Sequence, residues 1–148
     1  MKQWTRRFTL ITLLLIAGVS LESEKAPEVH RTETVKEEDK LLKAIMSVES
    51  NYDTEIINHK EDAVGILQIR PIMLREVNRI LALQGSYYRF SLDDRTDSVK
   101  SVQMWYIIQG HHNPGYDPML ACRIWNGGTK RYKPMSQQYW LKVQERMN

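Results

Sequence analysis

The stretch VKEEDKLLKAIMSVESNY, residues 35–52, decides how the rest of the chain is read. Leu41, Leu42, Ala44, Ile45 and Val48 recur at the spacing of one helical face, which predicts a helix from Val35 to Ser50. With Leu41 at zero and about 100° per residue, the apolar side centres at about 30°, and Lys40, Lys43 and Ser47 fall opposite. Glu49 lands at about 80°, inside the apolar sector. It is the only acid between Asp39 and Asp53. A carboxyl that faces a core from the last turn of a helix is either a functional acid or a helix-end glutamate reaching back to solvent.

Upstream, Thr34-x-x-Glu37 has capping-box spacing, so the folded domain is expected to start there and occupy 37–148. Residues 21–36 are polar and acidic, carry Pro27, and read as a flexible spacer. Residues 1–20 open with Lys2, Arg6 and Arg7, followed by an apolar run from Phe8 to Val19. That run fits a signal peptide and falls short of the roughly 20 residues that span a bilayer. Gly18 and Ser20 suit cleavage near Ser20, with a retained signal anchor as the alternative. The expected location is therefore outside the cytoplasm, periplasmic or extracellular, with membrane contact through this segment alone. The formal charge of the chain is +3. The three basic residues of the signal account for it, and the rest is neutral, divided between an acidic spacer and a mildly basic domain. That balance and the export signal disfavour a nucleic-acid partner. One cysteine excludes a disulfide-stapled fold.

Downstream, punctuation predicts four more helices. Arg70-Pro71 opens one that runs toward Leu83 and stops at Gly85-Ser86. Asp97 or Ser98 starts another, in which Val99, Val102, Trp105 and Gln109 suggest one apolar face. Asp117-Pro118 is an N-cap followed by proline, opening a helix that ends at Gly127-Gly128. Gln137 to Met147 is the last. Residues 86–95, SYYRFSLDDR, read as a surface loop, and His111-His112 as a loop pair. Strand-like alternation is nearly absent, so the fold class is mainly α, in one domain.

Three strings carry the chemistry: Val48-Glu49-Ser50-Asn51-Tyr52, then Asp62-Ala63-Val64-Gly65-Ile66-Leu67-Gln68-Ile69, then Ile124-Trp125-Asn126-Gly127-Gly128 followed by Tyr139-Trp140-Leu141-Lys142-Val143. In this order and spacing they resemble the lysozyme-like domain of SLT-type lytic transglycosylases, which cleave the glycan strands of peptidoglycan. The resemblance covers roughly residues 38–147. Trp125 stands where the family usually has tyrosine, Gly127 where alanine is commoner, and Asp62 where a small residue is common.

The resemblance implies that Glu49 is the catalytic acid. Glycosidic cleavage needs a carboxylic acid still protonated near neutral pH, and an apolar surrounding shifts a carboxyl in that direction. It also implies that Ser50, Gly65, Gln68, Trp125, Asn126 and Tyr139 form the substrate-binding surroundings. Gly65 would permit a close approach of chain and sugar, and Gln68 would offer a donor and an acceptor. Asn126 would line the cleft floor while also ending its helix. Ser50 would bond within the cleft or behind it, Trp125 would stack on a sugar or pack in the core, and Tyr139 would approach the acid or pack in the core.

In such enzymes one carboxylate cleaves the β-1,4 bond between N-acetylmuramic acid and N-acetylglucosamine and leaves a 1,6-anhydro end. Hydrolysing lysozymes use two carboxylates. Asp62 is therefore the residue on which a hydrolytic alternative rests, and a non-catalytic glycan-binding relative is the alternative from another class. No metal and no organic cofactor is implied: His59, the histidine pair and Cys122 lack zinc-site spacing, and no phosphate loop or dinucleotide fingerprint is present. Cys122 sits among apolar residues and reads as buried. Arg123, Lys130, Arg131, Lys133, Lys142 and Arg146 form a basic cluster suited to an anionic wall polymer. Nothing in the sequence speaks to oligomeric state.

Overall fold

Helices dominate the described residues of the computed structural model, 35–129 and 135–148, with 35–39 and 135–136 described as backbone only. The expected signal segment and acidic spacer lie outside these residues, as do Thr34 of the capping box and Lys130, Arg131 and Lys133 of the basic cluster. In chain order the elements are α1 (Val35–Ser50), β1 (Ile57–Asn58), β2 (Ala63–Val64), α2 (Pro71–Leu83), α3 (Ser98–His112), α4 (Pro118–Gly127) and α5 (Met135–Met147), with a 3-10 turn at Asp93–Arg95 before α3. Helix α5 packs on both α1 and α4, and α2 pairs with α3. No helix among the described residues is long and apolar enough to cross a membrane.

The helix boundaries follow local chemistry. Pro71 opens α2, where its missing N–H is no loss. The Asp97 carboxylate caps α3 by accepting from the N–H groups of Val99 and Lys100. The Asp117 carboxylate caps α4 by accepting from Leu120, with Pro118 in the first turn. Between these two helices Asn113 is almost wholly buried, and its side chain bonds both the N–H and the carbonyl of Asp117. The Asn113-Pro114-Gly115 turn is thereby closed by the side chain of its first residue.

Three local expectations are corrected. Helix α3 is not one-faced: the six consecutive residues Met104–Gln109 are all buried, while Val99 is exposed. A helix covered on every side needs no polar stripe, so its periodicity is weak. His111 and His112 are not a loop pair but the last residues of α3, where His112 Nε2 lies 2.7 Å from Glu76 Oε1 on α2. The segment 86–95 is only partly surface. Phe90 and Arg95 are buried, and the Phe90 backbone is held at both its N–H and its carbonyl by the Asn78 amide.

The few extended residues matter more than their number suggests. β1 and β2 pair antiparallel, with Ile57 opposite Val64 and Asn58 opposite Ala63. Val64 also bridges Ile69 through reciprocal backbone bonds, so Gly65–Gln68 becomes a tight loop on the edge of this hairpin.

Candidate active site

The Gly65–Gln68 loop is tied down residue by residue by side chains from distant elements. The Ile66 carbonyl accepts from Ser50 Oγ at 2.9 Å, and the Leu67 carbonyl accepts from Trp125 Nε1 at 3.2 Å. Arg95 Nη1 donates to the Ile69 and Asp62 carbonyls. Gln68 Nε2 folds back onto the carbonyls of Gly65 and Ile56. Each buried bond of this kind contributes about 1 kcal/mol, and removing one partner would leave a desolvated carbonyl. The result fastens the end of α1, the hairpin and α4 to one short turn.

This arrangement redefines several expected site residues. Gly65 has φ +77°, and a Cβ there would collide with the Arg95 carbonyl. The close approach that requires glycine is therefore with Arg95 of this chain, not with a sugar. Ser50 is buried behind the cleft, its hydroxyl spent on the Ile66 and Met46 carbonyls. Trp125 is 2% exposed and meets Trp105 edge-on at 4.8 Å. It contributes an edge to the cleft wall, and no open face is left for stacking on a ring. Gln68, with its nitrogen committed, presents Oε1 as its free group, an acceptor rather than a donor and acceptor.

Above the loop lies a cleft of about 250 Å³, lined by Glu49, Asn58, Glu61, Ala63, Gln68, Arg70, Met73, Trp125 and Asn126. The packing of α5 against α1 puts the Tyr139 hydroxyl 2.7 Å from Glu49 Oε1, to which it donates. Burial pushes the Glu49 carboxyl up to about 7. The Tyr139 bond and the Arg70 charge pull it down, and the Glu61 charge pushes it up. Burial and the neighbouring carboxyl raise Tyr139 as well, so it stays a neutral donor. Cys122, buried and near Glu49, is pushed up to about 12 and is no thiolate nucleophile at neutral pH. The site thus offers an acid that is substantially protonated at neutral pH, held at a fixed angle by a neutral partner.

Asp62 does not line this cleft. Its carboxylate lies 3.3 Å from buried Arg95, which also holds its backbone carbonyl. Its neighbour Glu61 does line the cleft, and Arg70 spans from Glu61, at 3.6 Å, to the Asn126 carbonyl, at 3.5 Å. Glu61, Arg70, Asn58 and Met73 line the cleft although none belongs to a motif; from sequence Glu61 reads as part of a solvated charged loop, and Arg95 as part of a surface loop. Arg70 had one available signal: it sits two residues past Gln68, at the mouth of α2. No group of three or more potential metal ligands occurs among the described residues.

An acid poised near neutrality in a cleft between helices and a small hairpin is the arrangement of a lysozyme-like glycan-cleaving domain. The family model "Transglycosylase SLT domain" matches residues 29–145, and the chain belongs to that family. No curated protein matches the chain. At the level of the family, membership supports a transglycosylase-type function directed at peptidoglycan.

Proposed function

We propose that this chain is an exported lytic transglycosylase in which Glu49 is the single acid and base. In its protonated form Glu49 donates to the glycosidic oxygen between N-acetylmuramic acid and N-acetylglucosamine. The bond from that oxygen to C1 of the muramoyl ring breaks, and the N-acetylglucosamine leaves with the proton on its O4. Glu49, now a carboxylate, takes the proton of the muramoyl C6 hydroxyl, whose oxygen bonds to C1. The product carries a 1,6-anhydro ring, and no water is consumed. A group that first gives and then takes a proton works best with a pKa near the operating pH, and the value of about 7 meets that demand. That observation carries the proposal.

Tyr139 fixes the Glu49 carboxyl, and Gln68 Oε1 and Asn126 face the cleft as partners for hydroxyl and acetamido groups. Gly65, Ser50 and Trp125 act one layer back by holding the turn on which Gln68 sits. Residues 1–20 direct the domain across the membrane, where its polymer lies. A hydrolytic reading draws on Glu61, a second carboxylate lining the cleft. Its pairing with Arg70 and its place on an exposed loop favour a charge-balancing role.

Digestion of purified peptidoglycan, with fragments read by mass spectrometry, tests the proposal. Anhydro ends from the wild type and none from Glu49→Gln are expected. Reducing ends would establish hydrolysis instead, and binding without release would leave only a glycan-binding relative.

A further inference from the structure

Among the described residues that line the cleft, Arg70 is the only cation, and its guanidinium shares that space with the Glu49 carboxyl. Pro71 follows it, so Arg70 keeps an extended backbone, φ −90° and ψ 154°, just ahead of α2 at the edge of the cleft. Two groups hold its charge. Glu61, on the loop joining β1 and β2, lies 3.6 Å from Arg70 Nη1, and the Asn126 carbonyl accepts from Nη2 at 3.5 Å. That carbonyl belongs to the last turn of α4, where a helix has acceptors to spare and favours a cation. No hydrogen bond or ion pair joins Arg70 to Glu49, and the two meet only as charges at a distance.

The consequence of a direct pair is visible elsewhere in the chain. Glu76, gripped by Arg79 through Nε and Nη2 and touched by His112, is lowered to about 2. A guanidinium set against a carboxylate makes it a fixed anion, and Glu49 in that state would have no proton to give at neutral pH. Glu49 escapes this although Arg70 lines the same cleft. Facing it are Tyr139 from α5, Cys122 from α4, Glu61 from the β1–β2 loop and Arg70 from the start of α2. Tyr139 and Cys122 are neutral near pH 7, which leaves Arg70 and Glu61 as the opposed charges. Glu61 acts twice: it engages the guanidinium, and its own charge favours the protonated form of Glu49.

We propose that Glu61 is a positioning residue: together with the Asn126 carbonyl it holds Arg70 off Glu49 and so leaves Glu49 free to give its proton. The proposal rests on the reading of Glu49 as the acid, and it assigns Glu61 a duty other than that of a second catalytic carboxylate.

The pH profile of cleavage is the test. In Glu61→Gln the released Arg70 should turn to Glu49, and the alkaline limb of kcat/KM should fall by about one unit, the low end of what an adjacent guanidinium does to a carboxyl. Cleavage should then be about tenfold slower than wild type at about pH 8 and nearly equal to it at about pH 5. Adding Arg70→Gln should return the limb to its wild-type place, and Arg70→Gln alone should move it slightly upward. A loss in Glu61→Gln that is the same in acid and in base, or a limb that Arg70→Gln does not restore, would overturn the proposal; the first is the pattern of a second catalytic carboxylate. If wild type cuts no peptidoglycan, the reading of Glu49 as the acid fails, and carboxyl-carbon NMR of isotope-labelled protein decides the pair by itself, with the Glu49 signal assigned from Glu49→Gln. A Glu49 titration that drops in Glu61→Gln and returns in the double variant supports the pair, and one that stays in place refutes it.

Discussion

Two glutamates, Glu49 at the end of α1 and Glu76 in the middle of α2, start from the same ordinary value and end far apart. Glu49 is raised to about 7 and Glu76 lowered to about 2. Both feel desolvation. The difference lies in what faces them. Glu49 meets a neutral tyrosine hydroxyl, so burial dominates. Glu76 meets a bidentate guanidinium and an imidazole, which outweigh its smaller desolvation. The lesson is that the balance between burial and the hydrogen bonds and charges set against it decides whether a carboxyl is a proton carrier or a fixed anion. The two regions adjoin, one suited to proton transfer and the other to holding charge.

The sharpest way to break this contrast is Glu49→Gln. Cleavage should fall about a thousandfold, the range expected for losing a general acid, as measured by release of soluble fragments. The same variant tests the linkage. Glu49 binds its proton more tightly folded than unfolded, so its contribution to stability is full below about pH 4.5 and is lost as pH rises through about 7. Wild type should therefore lose up to about 3 kcal/mol over that window relative to Glu49→Gln, seen in denaturant midpoints across pH.

Tyr139→Phe sharpens the comparison by making the surroundings of Glu49 more apolar. Losing the bond that lowers its pKa should move the alkaline limb of kcat/KM from near 7 to higher pH. Loss of alignment should cut the rate about tenfold. A limb that stays in place would separate Tyr139 from the ionisation of Glu49.

Glu76→Gln works in the opposite sense. The Glu76 contribution is present above about pH 4.5 and lost as pH falls through about 2. Removing it should cost about 1 kcal/mol at neutral pH, allowing for solvent around the pair, and nothing in strong acid. Thermal melts at pH 7 and pH 2 read this directly. The smallest effect is expected from Asp62→Asn, within about twofold in cleavage, because the Asp62 side chain is itself largely exposed where it meets buried Arg95 and asparagine tolerates its positive φ of 50°. A hundredfold loss there would revive a two-carboxylate mechanism.

Much of the architecture was legible because helix ends are written locally. Proline, Asp97, Asp117 and the Gly127-Gly128 pair act within a turn of where they stand, and the observed boundaries of α2 and α4 follow them. Helix α3 blurred because a helix buried on all sides has no stripe to read. The place of Glu49 on its helix was legible for the same local reason. The duties of Ser50, Gly65 and Trp125 were not, since their partners Ile66, Arg95 and Leu67 lie 16 to 58 residues away for the hydrogen-bonded pairs. Arg95 was read as surface because its sequence neighbours are polar, although its guanidinium ties together carbonyls from two other segments.

By itself, then, the sequence determined a helical domain and an acid on the apolar side of its first helix, since periodicity and capping depend only on near neighbours. Only the tertiary structure decided that Glu49 is held near neutrality by burial against Tyr139, and that Glu61 rather than Asp62 shares its cleft. Those outcomes depend on desolvation and charge, which are set by whatever the fold brings within a few ångströms, however distant along the chain.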